Sequence, residues 1–555
     1  MKTKKGYPLP LGVSERDGYI NFSIVVPDGR PCFLKLFKKD EKEPYFETKL
    51  EECVGEVHFL SVLKEDADGM EYSYAIGDKV IVDPYAKSVI ENEKLHLRGR
   101  LNIVEYDWEG DKQLHIPENE IIAYSLHVRG FTKHESSGVK KKGTFAGLSE
   151  KIPYLQELGI NQIQCMPVYS FEEAESYKNY WGYGPAFCFA VKNKYADGES
   201  PETELKDMIK AFHKAGIEVV LNLPFDGTVP KMLMMECLQY YLLEYHVDGF
   251  LLNPYVVPME EILTDPLLKG TKIIETKDSY QNVMRRFLKS DAGTVVDAMW
   301  HLEQPAQGSR YYNSITAHNG FTLADLYSYN TKHNESNGES NFDGPDCNHS
   351  WNCGVEGKTD KEEVILLRQN QVRNAIFLLL TSHGVPCILA GDEFGNSQNG
   401  NNNVYCQDNE TGWLNWNDLE ENRELFEYVK RVIQLRKELP FFKSNVPLPG
   451  VDKSSCGIPV FSFHGEYVWQ PSVGYDSRQF GVYYHDEKEE IKDIYIAYNM
   501  HWEESLFALP TLQNRKKWYR TYSTESKKLL LAEAVEEKEK KAAVKGRTIV
   551  VFVGR

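Results

Sequence analysis

Residues 203–225, TELKDMIKAFHKAGIEVVLNLPF, contain a helix pattern followed directly by a strand pattern, and this pair indicates the fold class of the chain. Apolar residues recur at helical spacing as far as Gly216, a residue type that favours the end of a helix. The run EVVLN that follows is short and apolar, which is typical of a buried strand. A helix followed at once by such a strand indicates a parallel α/β sheet.

The same order recurs on both sides of this stretch. LSEKIPYLQELGI at 148–160 precedes the strand NQIQCMPV, CLQYYLLEYHV at 237–247 precedes DGFLLNP, and a helix that ends near Gly384 precedes the strand before GDEF. AYSLHVRGF at 123–131 starts the series as a strand. Repeated units of this kind predict a (β/α)8 TIM barrel over residues 106–442, with functional loops at the carboxyl ends of its strands.

The flanking regions have a different pattern. In residues 1–105, runs such as INFSIVVPDG and PCFLKLFKK alternate apolar and polar residues between turn signals, which predicts an N-terminal β-sandwich. Residues 443–555 contain further runs of this type, among them IYIAYNMHW and RTIVVFVG, and predict a C-terminal antiparallel β-sandwich domain. We interpret the charged tract AEAVEEKEKKAAVKG at 532–546 as a solvated loop or a short surface helix.

Composition excludes several classes of partner. The chain of 555 residues has a net charge of −18, whereas nucleic acids and anionic membrane surfaces select for clustered Lys and Arg. It contains no run of about 18 apolar residues and no apolar secretory segment at its start, so we expect a cytoplasmic protein whose 10 cysteines are reduced. A neutral sugar polymer meets no electrostatic objection. No ligand spacing indicates a metal, and we expect no cofactor.

Seven motifs occur in order along the barrel region. They are AYSLHVRGFT at 123–132, NYWGYGP at 179–185, HKAGIEVVLN at 213–222, HVDGF at 246–250, TAHNGFTLADLYSYNTKHNESNGE at 316–339, HSWNCGVEG at 349–357 and LAGDEFGNSQNGNNNVYCQDNE at 389–410. Together they closely resemble the isoamylase and glycogen-debranching branch of glycoside hydrolase family 13. DPYAK at 83–87 resembles the end of that branch's family 48 carbohydrate-binding module, and IYIAYNMHWEESLFALP at 494–510 resembles its C-terminal β-domain.

The resemblance implies hydrolysis of α-1,6 bonds in branched α-glucans by a retaining mechanism. Such a mechanism uses two carboxyl groups about 5 Å apart, one as nucleophile and the other as general acid and base. The family also uses a third carboxylate that holds sugar hydroxyls. An Arg beside the nucleophile keeps it ionised, because a nearby cation lowers the pKa of a carboxyl group.

Four of these positions hold other residue types in this chain. The family's fourth strand ends Gly-Phe-Arg-Phe-Asp, and here GFLLN places Leu251 at the Arg and Asn253 at the nucleophile. Set against the family's Ile-Ala-Glu-Pro-Trp, IIETKDS places Thr276 at the general acid, and AHN places Asn319 at the third carboxylate. An amide does not readily form a glycosyl ester, and a Thr hydroxyl is no proton donor near neutral pH.

The third strand departs from the family as well. The family sequence ends Asp-Val-Val-Phe-Asn-His, whereas NLPFDG here places Asn222 at the Asp, Asp226 at the Asn and Gly227 at the His. In the family that His holds a hydroxyl of the reacting sugar.

Neighbouring acids are the remaining source of catalytic carboxylates. Asp226 and Asp278 lie in loops at the functional end of the predicted barrel and are the acids able to replace the missing groups. Glu275 is one residue from the acid position, and because side chains alternate along a strand we expect it to point away from the mouth. Asp248 precedes Asn253 by about 16 Å of strand, so we expect it near the other end of the barrel.

Part of the sugar-binding pattern is present. NYWGYGP contains Tyr183, which by resemblance stacks on the sugar at the cleavage subsite, and Trp181 beside it. His318 is also present and can donate a hydrogen bond to a sugar. Tyr183, His318 and Trp181 are therefore the candidate contacts to an α-glucan such as glycogen or a starch-derived oligosaccharide.

Three functions follow from this combination. The first, which we favour, is a non-catalytic relative that binds α-glucan or regulates glucan metabolism. The second is an active α-glucan hydrolase that uses relocated acids. The third is a scaffold subunit that assembles with an active debranching enzyme, as some plant members of the family do.

Overall fold

The computed structural model describes residues 1–90, 97–101, 105–173, 178–305, 310–444, 448, 457–486 and 492–555. Within these residues a barrel of parallel strands is preceded and followed by antiparallel sheets. None of the described helices has the length and apolar character that a membrane span requires.

Two antiparallel sheets face each other in the N-terminal region. Their elements are β1 (Thr3–Lys4), β2 (Gly12–Arg16), β3 (Tyr19–Val25), β4 (Cys32–Phe37), β5 (Phe46–Lys49), β6 (Glu52–Val54), β7 (Val57–Leu63), α1 (Lys64–Ala67), β8 (Glu71–Ile76), β9 (Lys79–Ile81), β10 (Val89–Ile90) and β11 (Arg98–Arg100). One sheet has the order β1-β7-β3-β2, and the other has the order β10-β11-β8-β4-β5. Ile20, Phe22 and Ile24 of β3 share a buried core with Leu34 and Leu36 of β4. The expected β-sandwich is confirmed.

The barrel region alternates strands and helices as the sequence predicts. Its strands are β12 (Ala123–Leu126), β13 (Gln162–Cys165), β14 (Tyr169–Phe171), β15 (Ala186–Val191), β16 (Glu218–Asn222), β17 (Gly249–Leu252), β18 (Lys272–Glu275) and β19 (Cys387–Leu389). Its helices are α2 (Val128–Thr132), α3 (Phe145–Ser149), α4 (Ile152–Leu158), α5 (Pro201–Lys214), α6 (Lys231–Tyr245), α7 (Met259–Thr264), α8 (Ser279–Lys289), α9 (Val295–Glu303), α10 (Leu323–Leu326), α11 (Glu362–Thr381), α12 (Asn417–Glu421) and α13 (Arg423–Glu438).

Six of these strands form one parallel sheet in the order β18-β17-β16-β13-β12-β19. The extended segment 310–316 lies between the two ends of that sheet. Asn313 exchanges backbone hydrogen bonds of 2.7 Å with residues on either side of Pro386, and Glu275 N donates to Arg310 O at 2.5 Å. The TIM-type α/β barrel is thus confirmed. Among the described residues the barrel wall consists of these six strands and the segment 310–316, which makes seven where eight were expected. The number is seven because α8 and α9 connect β18 to this segment with no strand between them.

Two local predictions in the barrel are corrected. The predicted strand 123–131 ends at Leu126, and α2 follows because the His127 ring accepts a hydrogen bond from Gly130 N and caps its start. The single helix predicted at 148–160 is two helices, α3 and α4. Pro153 lies in the first turn of α4, where the missing N–H of proline costs nothing, and Gly159 ends this helix with a φ of 97°.

The C-terminal strands form a six-stranded sheet and a smaller pair. They are β20 (Phe461–His464), β21 (Gln479–Tyr484), β22 (Ile494–Asn499), β23 (Ser505–Ala508), β24 (Trp518–Ser523), β25 (Leu530–Glu536), β26 (Lys541–Val544) and β27 (Thr548–Gly554). Ile494 and Ile496 of β22 pack in the core of the barrel region, whereas Tyr495 packs against the strands β23 and β26. The sheet therefore has one face on the barrel and the other on a second layer, which confirms the C-terminal β-domain.

The interpretation of 532–546 as a loop or helix is wrong. Most of this tract lies in β25 and β26, which pair with β24 and β23 respectively. β25 is an edge strand, and its charged side chains face solvent, as is common for strands that must not pair with another molecule. Tertiary pairing overrides the low strand propensity of this composition.

Candidate functional site

A cavity of about 580 Å³ opens where β16, β17, β18 and the segment 310–316 end. Its depth reaches Ser125, Gln164 and Cys387 inside the barrel, and its rim carries Tyr183, His318 and residues of the strand ends. This volume lies within the about 300–1,000 Å³ of typical small-molecule sites, and the carboxyl ends of barrel strands are where such sites form.

The loop that carries Tyr183 is built by Asn179. Its Oδ1 accepts a hydrogen bond from Gly182 N at 2.9 Å, and its Nδ2 donates to Tyr183 O at 2.7 Å. Gly182 has a φ of +81°, and a Cβ there would lie 2.6 Å from the Phe171 ring, so only glycine fits. The motif NYWGYGP therefore fixes the tyrosine at the rim of the cavity.

Three side chains form a hydrogen-bonded chain along one wall. Asn222 Nδ2 donates to Tyr183 Oη at 3.2 Å, and Tyr183 Oη lies 2.6 Å from His318 Nε2. Burial lowers the pKa of His318 to about 4, so the imidazole is neutral at physiological pH. Asn222 and His318 thus both bond the Tyr183 hydroxyl and hold it in place.

Trp181 supports this wall from behind. It is buried with Tyr180 and Val404, and its ring meets His318 edge to face at 4.9 Å between centroids. Trp181 is not among the residues that line this cavity, and its ring packs against His318, so direct contact of Trp181 with an α-glucan stays a prediction.

The strand ends bring four of the predicted site residues together. Leu251, Asn253, Thr276 and Asn319 all line the cavity. Leu251 pairs with Ile274 across β17 and β18, and both side chains contribute an aliphatic floor. Asn253, Thr276 and Asn319 are exposed at the mouth.

Two carboxylates border the cavity among the described residues, Glu275 and Asp278. Glu275 pairs in register with the core residue Leu252. Alternation along the strand predicts that its side chain points away from the mouth, yet the side chain borders the cavity. The reason is that β18 ends here and the carboxylate forms an ion pair with Arg310. Asp278 is exposed at the start of α8.

The other two acids serve the backbone. Asp226 does not line the cavity; it accepts hydrogen bonds from the backbone N–H and the hydroxyl of Thr228, which lowers its pKa. Gly227 lies exposed in the same turn. Asp248 lies at the opposite end of the barrel, as expected, and accepts from Leu114 N and Val219 N at 2.9 and 2.8 Å.

Comparison with known proteins identifies the family. Residues 125–230 match the model of the alpha amylase catalytic domain. The chain is 32 % identical over 568 residues to the glycogen operon protein GlgX homolog of Haemophilus influenzae, a match that covers 78 % of this chain and 85 % of that protein. It is 29 % identical to chloroplastic isoamylase 1 of Arabidopsis thaliana, over 91 % of this chain and 83 % of the relative.

The chain belongs to glycoside hydrolase family 13, in its isoamylase-like debranching branch. Solved pullulanases share the fold. Pullulanase type I from Bacillus subtilis, complexed with maltose, superposes with a TM-score of 0.77 at 19 % identity, over 99 % of this chain and 85 % of that one. The pullulanase of Paenibacillus barengoltzii, in complex with maltohexaose and α-cyclodextrin, gives 0.74 at 19 % identity, over 99 % and 95 % of the two chains.

Other family 13 motifs form the frame around the cavity. Asp392 of GDEF is buried, and its carboxylate accepts hydrogen bonds from the Thr316 hydroxyl and from Leu323 N. Burial raises the pKa of Asp392 to about 7. Asp325 accepts from the Ser397 hydroxyl and from the backbone of Gln398 and Gly400. These carboxylates tie the loops at the mouth together.

Several residues of the family 13 cavity escaped the sequence analysis. Tyr255, Gln281, Tyr312 and Lys277 line it, and Lys277 Nζ lies 4.0 Å from the centroid of the Tyr311 ring. Tyr255, Gln281 and Tyr312 stand outside the quoted segments. The sequence signal for Tyr255 is its place directly after the turn-forming pair Asn-Pro. Among the described residues, no cluster of three or more His, Cys, Asp or Glu side chains could hold a metal ion.

Proposed function

We propose that this family 13 member binds α-glucan in the barrel cavity and does not hydrolyse it. The observation that carries the proposal is the cavity itself. Leu251, Asn253, Thr276 and Asn319, which stand by resemblance at the family's reacting positions, line it, while Tyr183 and His318 are retained and hydrogen-bonded to each other.

The chemistry of the strand ends supports a non-catalytic role. Retaining hydrolysis requires a nucleophile and a general acid at a narrow separation, and each is a carboxyl group. Asn253 and Thr276 supply neither. Glu275 is engaged by Arg310, and Asp278 lies in solvent at the start of α8. Loss of either group disables a mechanism in which the two act as a unit.

The remaining surface suits a neutral sugar. Tyr183 offers an aromatic ring, Leu251 and Ile274 offer aliphatic contacts, and Gln164 and Asn319 carry amides that can bond hydroxyl groups. The neutral His318 imidazole adds a further polar group to this surface. The pullulanase neighbours were solved with maltose and maltohexaose, and we propose the same class of α-glucan ligand for this chain.

We divide the chain into a module resembling a carbohydrate-binding domain at 1–105, the barrel at 106–442 and a β-domain at 443–555. The cysteines among the described residues are free thiols, in keeping with a reducing cytoplasm. We expect no nucleic acid or membrane partner for a chain with a net charge of −18.

Two assays on the pure protein test this function. We expect no release of reducing ends from glycogen, amylopectin or pullulan, with an active isoamylase as the positive control. We expect retarded migration in native gels that contain amylopectin. Tyr183→Ala removes the aromatic wall and should weaken retardation at least about fivefold, equivalent to about 1 kcal/mol of lost apolar contact.

A matched variant controls for general effects. Tyr475 is 75 % exposed in the C-terminal region, and Tyr475→Ala should leave retardation unchanged. Release of reducing ends that disappears in Asp278→Asn would establish the alternative of a hydrolase with relocated acids. A protein that is not retarded at all, yet co-purifies with an active debranching enzyme, would establish the scaffold alternative.

A further inference from the structure

Asn253 does not extend freely into the cavity. Its Oδ1 accepts a hydrogen bond from Tyr255 N at 3.0 Å, which closes an Asx turn two residues long. Its backbone carbonyl accepts from Val256 N at 3.1 Å and from Val257 N at 3.3 Å. Pro254 between them has its φ set by the ring. The amide at the nucleophile position thus acts on the local backbone.

The turn places Tyr255 at the mouth. This side chain is 95 % exposed, yet it lines the same cavity as Tyr183. A singly exposed tyrosine on a protein surface is ordinary. The position of Tyr255 is unusual, because the turn that holds it begins at Asn253, a residue that lines the cavity, and places the ring beside the cavity entrance.

Tyr183 and Tyr255 are supported by adjacent strands. The Tyr183 hydroxyl is bonded to Asn222, the last residue of β16, and Asn222 pairs with Leu251 of β17. Tyr255 follows Leu251 by four residues. Neighbouring strands lie about 4.8 Å apart, so the Tyr183 hydroxyl is bonded at one strand end and Tyr255 follows the strand end beside it.

The arrangement around these rings fits a pyranose. The aliphatic side chains of Leu251 and Ile274 line the cavity, and the amide of Asn319 is exposed at its mouth. A glucosyl ring has apolar C–H faces and a belt of hydroxyl groups. Aromatic and aliphatic surfaces suit the faces, whereas amides suit the belt.

We propose that Tyr255 is a second aromatic wall that stacks on a glucosyl unit of bound α-glucan, and that Asn253 is the positioning residue that presents it. This inference rests on the proposed function. It gives the residue at the family's nucleophile position a structural task. An Asn or an Asp closes an Asx turn, whereas Ala does not.

Binding of maltohexaose, measured by calorimetry on the full chain, tests the stacking. Tyr255→Ala should weaken binding about fivefold to twentyfold, and Tyr255→Phe, which keeps the ring, should bind within about twofold of the parent. Tyr475→Ala is the control, because it removes an exposed tyrosine that does not line the cavity, and it should bind like the parent. Circular dichroism on each variant verifies the fold.

The turn is tested by two variants at one position. Asn253→Ala removes the acceptor of Tyr255 N and should weaken binding by a similar factor to Tyr255→Ala. Asn253→Asp restores the acceptor and should rescue binding. If Asn253 instead acted only by direct contact with the sugar, Asn253→Ala and Tyr255→Ala would weaken binding additively. Under our inference, the double variant with both substitutions binds little more weakly than Tyr255→Ala alone.

The outcomes separate this inference from the proposed function. If Tyr183→Ala abolishes binding while Tyr255→Ala binds like the parent, the second wall is refuted and α-glucan binding stands. If the parent binds neither maltohexaose nor amylopectin, the proposed function itself fails. If Asn253→Ala binds like the parent, the positioning role of Asn253 is refuted.

Discussion

The two ends of the barrel carry ionisable side chains in opposite ways. At the amino ends of the strands, Asp248 and His213 are buried and paired, and Glu218 forms an ion pair of 2.5 Å with Lys272. At the carboxyl ends, Asn253 and Thr276 are uncharged and exposed. The charges at the amino ends are buried, whereas the charged residues at the carboxyl ends, Glu275, Lys277 and Asp278, border the open cavity.

The buried charges hold the segment that enters the barrel. Asp248 Oδ1 accepts from Leu114 N at 2.9 Å, and Glu218 accepts from Ile116 N at 2.7 Å. His213 lies between Asp248 and Asp111, at 2.9 and 2.8 Å. Because fold and chemistry depend on different ends of the barrel strands, substitution at the mouth should leave the fold intact.

Removal of Asp248 should have the largest effect. Asp248→Ala leaves two backbone N–H groups and His213 Nε2 without an acceptor in a buried site. We expect a loss of about 3–5 kcal/mol, the usual cost of breaking a buried charged pair. Urea unfolding followed by circular dichroism measures it, and the shift of the midpoint is the quantity to compare because a chain of this size need not unfold in two states.

Asp278→Ala is the control at the other end. Asp278 is exposed at the mouth, so its removal should change stability by less than about 0.5 kcal/mol. If the two variants shift the midpoint equally, the assignment of stability to the amino ends of the strands is wrong.

His213 should give a smaller effect that depends on pH. Burial lowers its pKa, but hydrogen bonds and charges from Asp248 and Asp111 outweigh burial and raise the pKa of His213 above 6.5. A histidine whose pKa is higher in the folded state than in the unfolded state stabilises the folded protein. This stabilisation is complete below the unfolded-state pKa and is lost as pH rises through the folded-state pKa. His213→Gln should therefore cost about 1.5–3 kcal/mol near pH 6, the scale of hydrogen bonds to charged groups, and less at higher pH.

Unfolding midpoints at several pH values between 6 and 9 measure this difference. The titratable groups around His213 are Asp111 and Asp248, with His246 in contact with Asp111 at 3.4 Å. His246→Gln separates its contribution. A deficit of His213→Gln that is constant across this range would contradict the raised pKa.

The sequence predicted the barrel because helix and strand periodicities are local signals. The prediction for 532–546 was wrong because the pairing of β25 with β24 determines the structure there. Charged residues are common on an edge strand, and they do not give the alternating apolar pattern by which a strand is predicted. The sequence-based prediction also missed Tyr255. Periodicity assigns strands and the motifs assign family positions, but the direction of an exposed ring depends on a turn whose acceptor is a side chain, Asn253.

Asn253→Asp should have the smallest effect on stability, and its effect on activity is the more informative. Asp closes the same turn, and the site is exposed, so we expect a stability change below about 0.5 kcal/mol. One carboxylate restores a nucleophile without a general acid, so reducing-end release from pullulan should stay at background. Release by this single variant would mean that Asp278 or Glu275 already acts as a general acid, and the mouth would then differ from an active one by a single amide.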